Sequence, residues 1–548
     1  MYTSTSLLYS AIIALAALLP QTAMATHYKL FVLTGQSNSL GTTNGGETDP
    51  TSGSDPSDQH VLFAWDNFDT SSVSFNSSGG VFTTLQDQPG GEYGGSATHW
   101  GPEMEFARTL YRAGARNFGV IKASRGGGGN GNWLKPAAMY NNVVSTVNTA
   151  TATLTTNGDT FEIVGLLYLQ GESDSSAEAA IAGTRLKILT DNLRADLTNA
   201  SSMHTICAGI TYAGSAQDDT TRANQAAIAV STSYIDYFEN TDLQDRLAPD
   251  GIHLNKAAKI VVGNRFGQTF LNTSIVDRQY GNLVFIGDSI TQGGNGRPSY
   301  RYQVFTNLAN AGVPINATTG YKFSGSISGA YQSNAGSTPN VNGQAFENNH
   351  DGHWGWRAMW VNERVALPAG QRSSNRGEGT ILNWTGDASP QEYVTDGGTV
   401  DFPDLTTSGT GVTNPYTAYT PDTASIMIGI NESTVSSATQ LRDDLGTMID
   451  QLRTSNPNIR IHLNQLLYSD NVTFSVVDTV NALLPQLVAD KNAASTTSPV
   501  WLVTANDGFV PSTHTYDNTH PNTTGEIQVG NIISGSLGII GFPGSTTP

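Results

Sequence analysis

Two serines of this 548-residue chain each lie in a short turn that contains glycine, and each is followed more than 200 residues later by an Asp-x-x-His motif. The two sets are Ser37 with Asp250 and His253, and Ser289 with Asp517 and His520. A serine hydroxyl becomes a strong nucleophile only when a base removes its proton, so it needs an imidazole within reach and a carboxylate that fixes the imidazole tautomer. The pattern therefore predicts two nucleophilic serines, each with its own base.

The elements that would position these residues alternate between strands and helices. Each serine follows an apolar run that is typical of a buried strand, at residues 28–33 and 283–286. Further strands are predicted at residues 118–123, 163–169, 205–210, 425–429, 459–463 and 500–504, and helices at residues 103–113, 177–197 and 256–271. Because the length also suits two cores better than one, we expect two tandem α/β domains with parallel sheets, residues 26–276 and 277–548.

The first 25 residues have the pattern of a signal peptide. An apolar run at residues 7–19 is followed by Ala-Met-Ala at 23–25, although no Lys or Arg precedes the run. The run is too short to span a bilayer comfortably, so we expect a secreted or periplasmic protein. Cys207 is the one cysteine, which excludes an intramolecular disulfide, and its apolar neighbours predict a buried residue rather than a nucleophile.

Charge limits the partners of this chain. The formal net charge is -19, with 27 Lys and Arg against 46 Asp and Glu, and binding to nucleic acid or to an anionic membrane needs clustered cations. Neither partner is expected.

No cofactor is expected either, because the glycines at 126–129 lack the Lys-Ser/Thr of a phosphate loop. His350 and His353 could be a metal pair, but no His or Cys nearby completes a ligand set.

Four sequence blocks in the second half carry a family resemblance. Residues 285–293 contain Gly-Asp-Ser, 350–356 contain a glycine block, 428–432 contain Gly-Ile-Asn-Glu, and 517–521 contain Asp-x-x-His. In this order they resemble SGNH/GDSL-type hydrolases, which are esterases with a flavodoxin-like three-layer α/β/α fold. The resemblance implies an oxyanion hole formed by the Ser289 N–H, the Gly355 N–H (or that of Gly352) and the Asn431 side chain. The Tyr-Arg pair at 300–301 further resembles acetylxylan esterases of carbohydrate esterase family three.

The first half resembles another branch of the same superfamily. Its blocks are Gly-Gln-Ser-Asn at 35–38, Trp-Gly-Pro-Glu at 100–103 and Leu-Gln-Gly-Glu-Ser-Asp at 169–174. They resemble sialate O-acetylesterase-like proteins and carbohydrate esterase family six, in which Lys122, Trp133, Arg222 and Gln225 also fall in order. The resemblance implies an oxyanion hole formed by the Ser37 N–H, the Gly101 N–H and either the Gln170 side chain or the Gly171 backbone.

Together the resemblances imply a carbohydrate esterase that removes O-acetyl groups from a polysaccharide or an oligosaccharide. Two polar stretches, 323–349 and 369–420, would wall a cleft, and tryptophans there and nearby would stack on sugars: Trp133, Trp354, Trp356, Trp360 and Trp384.

One alternative is a GDSL lipase or thioesterase, which needs an apolar acyl cleft. The other is one catalytic domain with a degenerate carbohydrate-binding domain. Glu172 and Asp174 share one short turn, which favours a supporting role over glycosidase chemistry. The sequence does not indicate an oligomeric state.

Overall fold

A computed structural model gives the fold. It describes residues 25–42, 55–67, 77–89, 98–212, 214–273, 275–294, 297–315, 320–325, 327–328, 338–366, 416–432, 437–472 and 474–539. Most of the predicted signal peptide, most of the predicted cleft segment at 369–420 and Trp384 lie outside these residues.

The first half of the chain builds a seven-stranded sheet in the order β3-β2-β6-β1-β7-β8-β9, and β4 and β5 form a separate pair. The strands are β1 (His27–Gly35), β2 (Leu62–Trp65), β3 (Thr83–Thr84), β4 (Gln88–Pro89), β5 (Thr98–His99), β6 (Phe118–Lys122), β7 (Thr160–Leu169), β8 (His204–Ala208) and β9 (Ile235–Phe238). All pairings in the larger sheet are parallel except that of β2 with β3.

Alternate residues of β1 pack on opposite faces of this sheet, as the period of two in a strand requires. Leu30 and Val32 join the core cluster beneath helices 138–156 and 182–196, whereas Phe31 and Leu33 join the cluster beneath helices 103–112 and 256–271. The sheet is therefore covered on both faces, which gives three layers.

The second half builds another seven-stranded sheet, in which β10 lies between β14 on one side and β11 and β13 on the other. The strands are β10 (Gly281–Gly287), β11 (Tyr321–Ser324), β12 (Ile327–Ser328), β13 (Asn349–Gly352), β14 (Thr423–Met427), β15 (Arg460–Asn464) and β16 (Val500–Val503). Pairing is parallel except between β12 and β13. One large hydrophobic cluster packs this sheet against its helices.

The α-helices connect and cover these strands. Their bounds are Ser37–Leu40, Glu103–Arg112, Ala138–Thr156, Ser176–Ala179, Ala182–Asp196, Ala216–Ser231, Lys256–Leu271, Ser289–Gln292, Tyr300–Asn310, Ala358–Ala366, Tyr416–Tyr419, Ala438–Ser455, Phe474–Ala494, Pro511–His514 and Thr523–Ser536. Within the described ranges, none of these helices is both long and apolar enough to cross a membrane.

Both serines lie at equivalent points of their sheets. In each sheet five parallel strands follow the order 2-1-3-4-5, as in flavodoxin-like folds. Strand 1 is β1 in one sheet and β10 in the other, and Ser37 and Ser289 begin the short helices that follow them. Ligands of such sheets bind at the carboxyl ends of the strands, where the strand order reverses. Each serine occupies that position.

Contacts join the two halves through β16 and through the segment just before β10. Trp501 of β16 packs into a core cluster of the first half, and its Nε1 donates a hydrogen bond of 3.1 Å to Asp55 Oδ1. The Gln279 N–H donates to the Gly114 carbonyl at 2.8 Å. Gly114 has a φ of 98°, and a Cβ there would lie 2.7 Å from the Gln279 oxygen. A side chain at residue 114 would therefore disturb this junction.

Most predicted elements are confirmed within a few residues, and the helix at 256–271 has the predicted bounds. The helix predicted at 177–197 is wrong in one respect. The structure divides it into Ser176–Ala179 and Ala182–Asp196. Ser175 caps the first piece through a capping box with Glu178, and a turn at residues 180–181 separates the two pieces. Cys207 is fully buried, as predicted.

Candidate active sites

The second half assembles a continuous chain of hydrogen bonds around Ser289. His520 Nε2 lies 2.8 Å from Ser289 Oγ, and His520 Nδ1 lies 2.6 Å from Asp517 Oδ2. The His520 N–H also donates to Asp517 Oδ1 at 2.7 Å. Burial acts to raise the pKa of Asp517, but the hydrogen bonds and charge of His520 outweigh it and hold that pKa below its usual range. The carboxylate can therefore orient the imidazole, and the imidazole can take the serine proton.

Two aromatic rings hold the His520 imidazole. Trp354 stacks on it with the ring centroids 4.5 Å apart and an interplanar angle of 17°. Tyr516 stacks at 5.8 Å and 20°. The Trp354 N–H in turn donates to Gln292 Oε1 at 2.6 Å, which ties the tryptophan to the helix that begins at Ser289. The glycine block thus helps to set the plane of the candidate base.

The predicted oxyanion donors of this half lie in different hydrogen-bonding states. The Gly352 N–H donates to His350 Nδ1 at 2.9 Å and is therefore not available to a substrate oxygen. Gly355 has a φ of 75°, and its N–H has no partner within the described parts of the chain. Asn431 donates one amide hydrogen to the Trp356 carbonyl at 2.8 Å, and within the described ranges its other amide hydrogen has no partner. Of the two glycines, the geometry favours Gly355.

The acid that precedes Ser289 has a structural task that the sequence motif did not reveal. Asp288 accepts hydrogen bonds from the Ile290 N–H at 3.0 Å and the Gly429 N–H at 3.2 Å. It thereby joins the nucleophile turn to the loop that carries Asn431. Burial raises the pKa of Asp288 to about 6, against the lowering effect of these N–H donors.

In the first half, Asp250 and His253 form the same local unit. His253 Nδ1 lies 2.6 Å from Asp250 Oδ2, and the N–H groups of Ile252 and His253 each donate to Asp250 Oδ1 at 3.0 Å. Burial acts to raise the pKa of Asp250, but these hydrogen bonds outweigh it and lower the pKa to about 2. Asp250 is therefore ionised at neutral pH.

Asn38, the residue after Ser37, attaches the nucleophile turn to the histidine segment. Its Oδ1 accepts from the Leu254 N–H at 2.9 Å, and its Nδ2 donates to the Ile252 carbonyl at 3.3 Å. These two contacts bracket His253. Nδ2 also donates to Glu172 Oε1 at 2.6 Å, and burial raises the pKa of Glu172. The structure thus brings Ser37 and the Asp-x-x-His segment together, with Glu172 in the supporting role that the sequence predicted.

Gln36 is the counterpart of Asp288 in this half. Its Oε1 accepts from the N–H groups of Gly171 and Ser173 at 3.2 and 3.3 Å. An amide oxygen and a carboxylate oxygen therefore perform the same task at the position before each serine. The signal in the sequence was a polar side chain at that position in both turns, and each of these side chains has a partner more than 130 residues away.

The predicted oxyanion hole of the first half needs a correction. Gln170 is fully buried, and its Nε2 donates to Asp174 Oδ1 at 2.6 Å and to the Gly128 carbonyl at 3.5 Å. The amide hydrogens of Gln170 are therefore engaged within the protein. The alternative Gly171 N–H is engaged by Gln36, and the Gly101 N–H donates to Glu103 Oε1 at 2.9 Å. A substrate oxygen would have to share the Gly101 hydrogen.

Buried cations hold the ends of both nucleophile helices. Lys122 Nζ donates to the Leu40 carbonyl at 2.8 Å, and Lys259 Nζ donates to the Gly41 carbonyl at 2.8 Å. In the second half, Arg301 donates to the Thr291 and Gln292 carbonyls at 2.7 and 2.9 Å. Helix ends leave carbonyls without internal partners, and cations satisfy them. Lys122 and Arg301 are thus supports beneath the serines.

The predicted sugar-stacking role is wrong for three tryptophans. Trp133, Trp356 and Trp360 are 5% exposed or less, and the Trp133 Nε1 donates to Thr34 Oγ1 at 3.0 Å. Such rings pack the core. Trp354 is only partly buried, but its ring stacks on His520. An apolar core and an aromatic sugar platform use the same residue type, so the sequence could not separate them.

The residues considered as a metal pair have other contacts. His350 accepts from the Gly352 N–H, and His353 lies 3.1 Å from Asp351 Oδ1 and stacks on Trp356 at 4.2 Å. Among the described residues, no group of three or more His, Cys, Asp or Glu side chains is arranged to hold a metal ion.

Residues 27–272 match a family model described as SASA, carbohydrate esterase, sialic acid-specific acetylesterase. No curated protein sequence matches the chain significantly. Three similar solved structures each align with slightly less than half of this chain. A family 3 carbohydrate esterase from Talaromyces cellulolyticus is 18% identical, with 47% of this chain and 96% of that chain covered and a TM-score of 0.33. A protein from Arabidopsis thaliana is 21% identical, with 45% and 98% covered and a TM-score of 0.36. A family 3 carbohydrate esterase from Clostridium thermocellum is 19% identical, with 46% and 94% covered and a TM-score of 0.30.

The chain is a carboxylic ester hydrolase. Its first half, over residues 27–272, is the part that matches a carbohydrate esterase family, which supports a carbohydrate esterase function.

Proposed function

We propose that the chain is a carbohydrate O-acetylesterase with two serine sites, one in each of two tandem SGNH-type domains, residues 26–276 and 277–548. The observation that carries the proposal is the hydrogen-bond chain from Ser289 through His520 to Asp517. The family match of residues 27–272 supports an acetylated carbohydrate as the substrate. The apolar run at 7–19 and the Ala-Met-Ala sequence after it support a secreted or periplasmic location.

In the proposed reaction, Ser289 Oγ attacks the acetyl carbonyl carbon while His520 Nε2 takes the serine proton. The carbonyl oxygen gains the negative charge, and the N–H groups of Ser289 and Gly355 and the Asn431 amide would stabilise it. The intermediate collapses when the C–O bond to the sugar breaks, and His520 returns the proton to the departing sugar oxygen. Water then attacks the acetyl-serine ester and gives a proton to His520; the bond from the acyl carbon to Ser289 Oγ breaks, His520 returns the proton to Oγ, and acetate leaves.

The same steps at the first site would use Ser37, with His253 as base and Asp250 to orient it. Here the Ser37 N–H is the donor without a partner in the described parts of the chain. The Gly101 N–H would divide its hydrogen between Glu103 and the substrate oxygen. Since each lost oxyanion donor costs about 10²-fold or more in turnover, we expect the first site to be the slower one on simple acetyl esters.

One observation favours a second candidate, in which the first domain binds carbohydrate without turnover. Its predicted donors Gly101 and Gln170 are both engaged within the protein. The ordered Asp250 and His253 pair argues for catalysis instead, since a binding domain needs no ionised carboxylate on an imidazole.

The experiment compares Ser37→Ala, Ser289→Ala and the double variant on 4-nitrophenyl acetate and on an acetylated oligosaccharide. Each single variant should retain part of the activity, and the double variant essentially none. Ser201→Ala, an exposed serine in a turn, is the matched control and should leave activity unchanged. If Ser37→Ala had no effect on any substrate, the binding-domain candidate would replace the two-site proposal. A panel of longer acyl esters tests the lipase alternative, which requires activity to rise with chain length.

A further inference from the structure

A polar cavity of about 470 Å³ lies between the two halves, far from both serines. Its walls include Arg116 and Asn117, just before β6, Tyr280, just before β10, and Arg460, the first residue of β15. All of these lie at the amino ends of parallel strands, whereas both serines lie at the carboxyl ends. The seven residues of β10 alone separate the two edges by roughly 20 Å. The cavity is therefore a separate feature from either candidate active site.

Two guanidinium groups face this cavity without an anionic partner. Arg116 is half-buried, its Cζ lies 3.9 Å from the centroid of the Tyr111 ring, and its Nη1 donates to the carbonyls of Tyr111 and Ala115. Arg460 is 3% exposed and donates through Nη2 to the carbonyls of Gln279 and Tyr280. Its Nη1 is buried with no hydrogen-bond partner in the described structure. The cavity wall thus contains one partly exposed guanidinium, that of Arg116, and one buried guanidinium, that of Arg460.

The surrounding residues do not neutralise these charges. Among the described residues, no carboxylate lies within 4.0 Å of either guanidinium. Asp422 is the single acid among the described lining residues, and its Oδ2 accepts from the Asn282 N–H at 2.7 Å. His60, also in the wall, has its pKa lowered to about 4 by burial and by the Arg116 charge. Burial and the Arg460 charge lower the pKa of Arg116 itself to about 10.

This arrangement is costly for the protein alone. A charged group that is removed from water loses hydration free energy, and hydrogen bonds to carbonyls without a counter-charge recover only part of it. The cost is unusual here because the chain has 19 more acidic than basic residues, so partners are plentiful elsewhere. An oxyanion in the cavity would remove the cost, since a planar guanidinium binds a carboxylate through two parallel hydrogen bonds.

The remaining lining residues indicate which kind of molecule would carry the anionic group. Asn117, Asn458, Thr496 and Thr497 offer amides and hydroxyls, and Tyr280 offers a ring. Amides, hydroxyls and one aromatic face suit the hydroxyl groups and the apolar face of a sugar. The volume is in the range of small-molecule sites.

We propose that this cavity binds the carboxylate of an acidic sugar, with Arg116 in direct contact and the buried Arg460 adding its charge from below. The site is independent of the two serine sites, and it would bind whether or not the proposed esterase activity is correct.

The test is isothermal titration of the intact chain with sodium glucuronate and sodium N-acetylneuraminate at constant ionic strength, with glucose as the neutral counterpart and sodium phosphate as the simple anion. At least one acidic sugar should bind saturably and more tightly than glucose or phosphate. Arg116→Gln should weaken that binding by about tenfold or more, as expected for loss of a charge-assisted contact. Arg442→Gln, at a partly exposed arginine on helix 438–455, is the matched control and should change it less than about twofold.

A second variant guards against loss of folding in Arg116→Gln. Asn458 is exposed in the cavity wall, so Asn458→Asp should keep the fold, as judged by thermal melting, while its carboxylate repels the ligand. Asn458→Ala should bind more tightly than Asn458→Asp. Absence of saturable binding, equal binding of phosphate, or affinity unchanged in both Arg116→Gln and Asn458→Asp would overturn the proposal.

Discussion

The indole of Trp354 and the imidazole of His520 stack with centroids 4.5 Å apart, although the two residues are 166 positions apart in the chain. Trp354 belongs to the glycine block and His520 to the Asp-x-x-His block. The contact means that the segment carrying Gly355, a candidate oxyanion donor, also orients the candidate base. In the proposed second site, proton transfer and charge stabilisation would therefore depend on the same backbone segment.

We predict that Trp354→Leu lowers kcat by about tenfold or more with little change in KM, because a base that rotates freely loses its alignment with Ser289. Trp354→Phe should retain more activity, since it keeps an aromatic face. The measurement is steady-state kinetics in a Ser37→Ala background, which isolates the second site. Trp360→Phe is the control, because that ring packs on Trp356. A rise in KM with kcat unchanged would instead make Trp354 a sugar contact.

We predict that Asn38→Ala impairs the first site alone. Asn38 holds the segment around His253 through Ile252 and Leu254, so its loss should lower the activity of a Ser289→Ala background by about tenfold. In a Ser37→Ala background the same change should have no effect. Asn224→Ala removes an amide that bonds within its own helix and to Ala179, and serves as the control. Equal losses in both backgrounds would indicate a general defect in folding.

We predict that Glu432→Gln stabilises the protein increasingly as the pH rises from 5 to 8. Glu432 is 1% exposed, and burial raises its pKa from 4.5 to about 8. Between those values the unfolded chain releases the Glu432 proton while the folded chain keeps it, so stability falls with increasing pH. Gln removes this effect, which is on the order of a few kcal/mol at most, and can still accept from the Ala358 N–H.

Thermal melting of Glu432→Gln and of the parent protein at pH 5 and at pH 8 measures this change in stability. The control is Asp443→Asn, at a side chain that is 55% exposed. A melting temperature of Glu432→Gln that falls relative to the parent as the pH rises would contradict the prediction.

We predict that the two sites remove different acetyl groups, because specificity follows the walls around a common chemistry. The 126–133 segment contacts the first site through the Gly128 carbonyl, which accepts from Gln170, whereas the second site lies beside the glycine block with Trp354. Ser37→Ala and Ser289→Ala in the intact chain each leave one site. Acetyl loss from one acetylated polysaccharide, followed by NMR, should give two distinct patterns. Identical patterns at equal conversion would refute this expectation.

Apolar runs predicted the strands well because a buried parallel strand is apolar on both faces. The run at 28–33 lies inside His27–Gly35, and the run at 283–286 lies inside Gly281–Gly287. The helix at 177–197 was predicted less well, since a turn at residues 180–181 divides it and the apolar spacing did not reveal that break. Aromatic roles were predicted poorly, because burial of Trp133 depends on neighbours from distant segments.

The sequence by itself determined the order of the blocks, the serine after the first strand of each sheet, and the Asp-x-x-His pairing within one turn, since these depend on residues that are close in the chain. Only the tertiary structure decided which hydrogens are available. The Gly101 N–H donates to Glu103, the Gln170 amide donates to Asp174, and the Gly352 N–H donates to His350. A donor can serve either the protein or a ligand, and that choice depends on distances of a few tenths of an ångström, which no motif encodes.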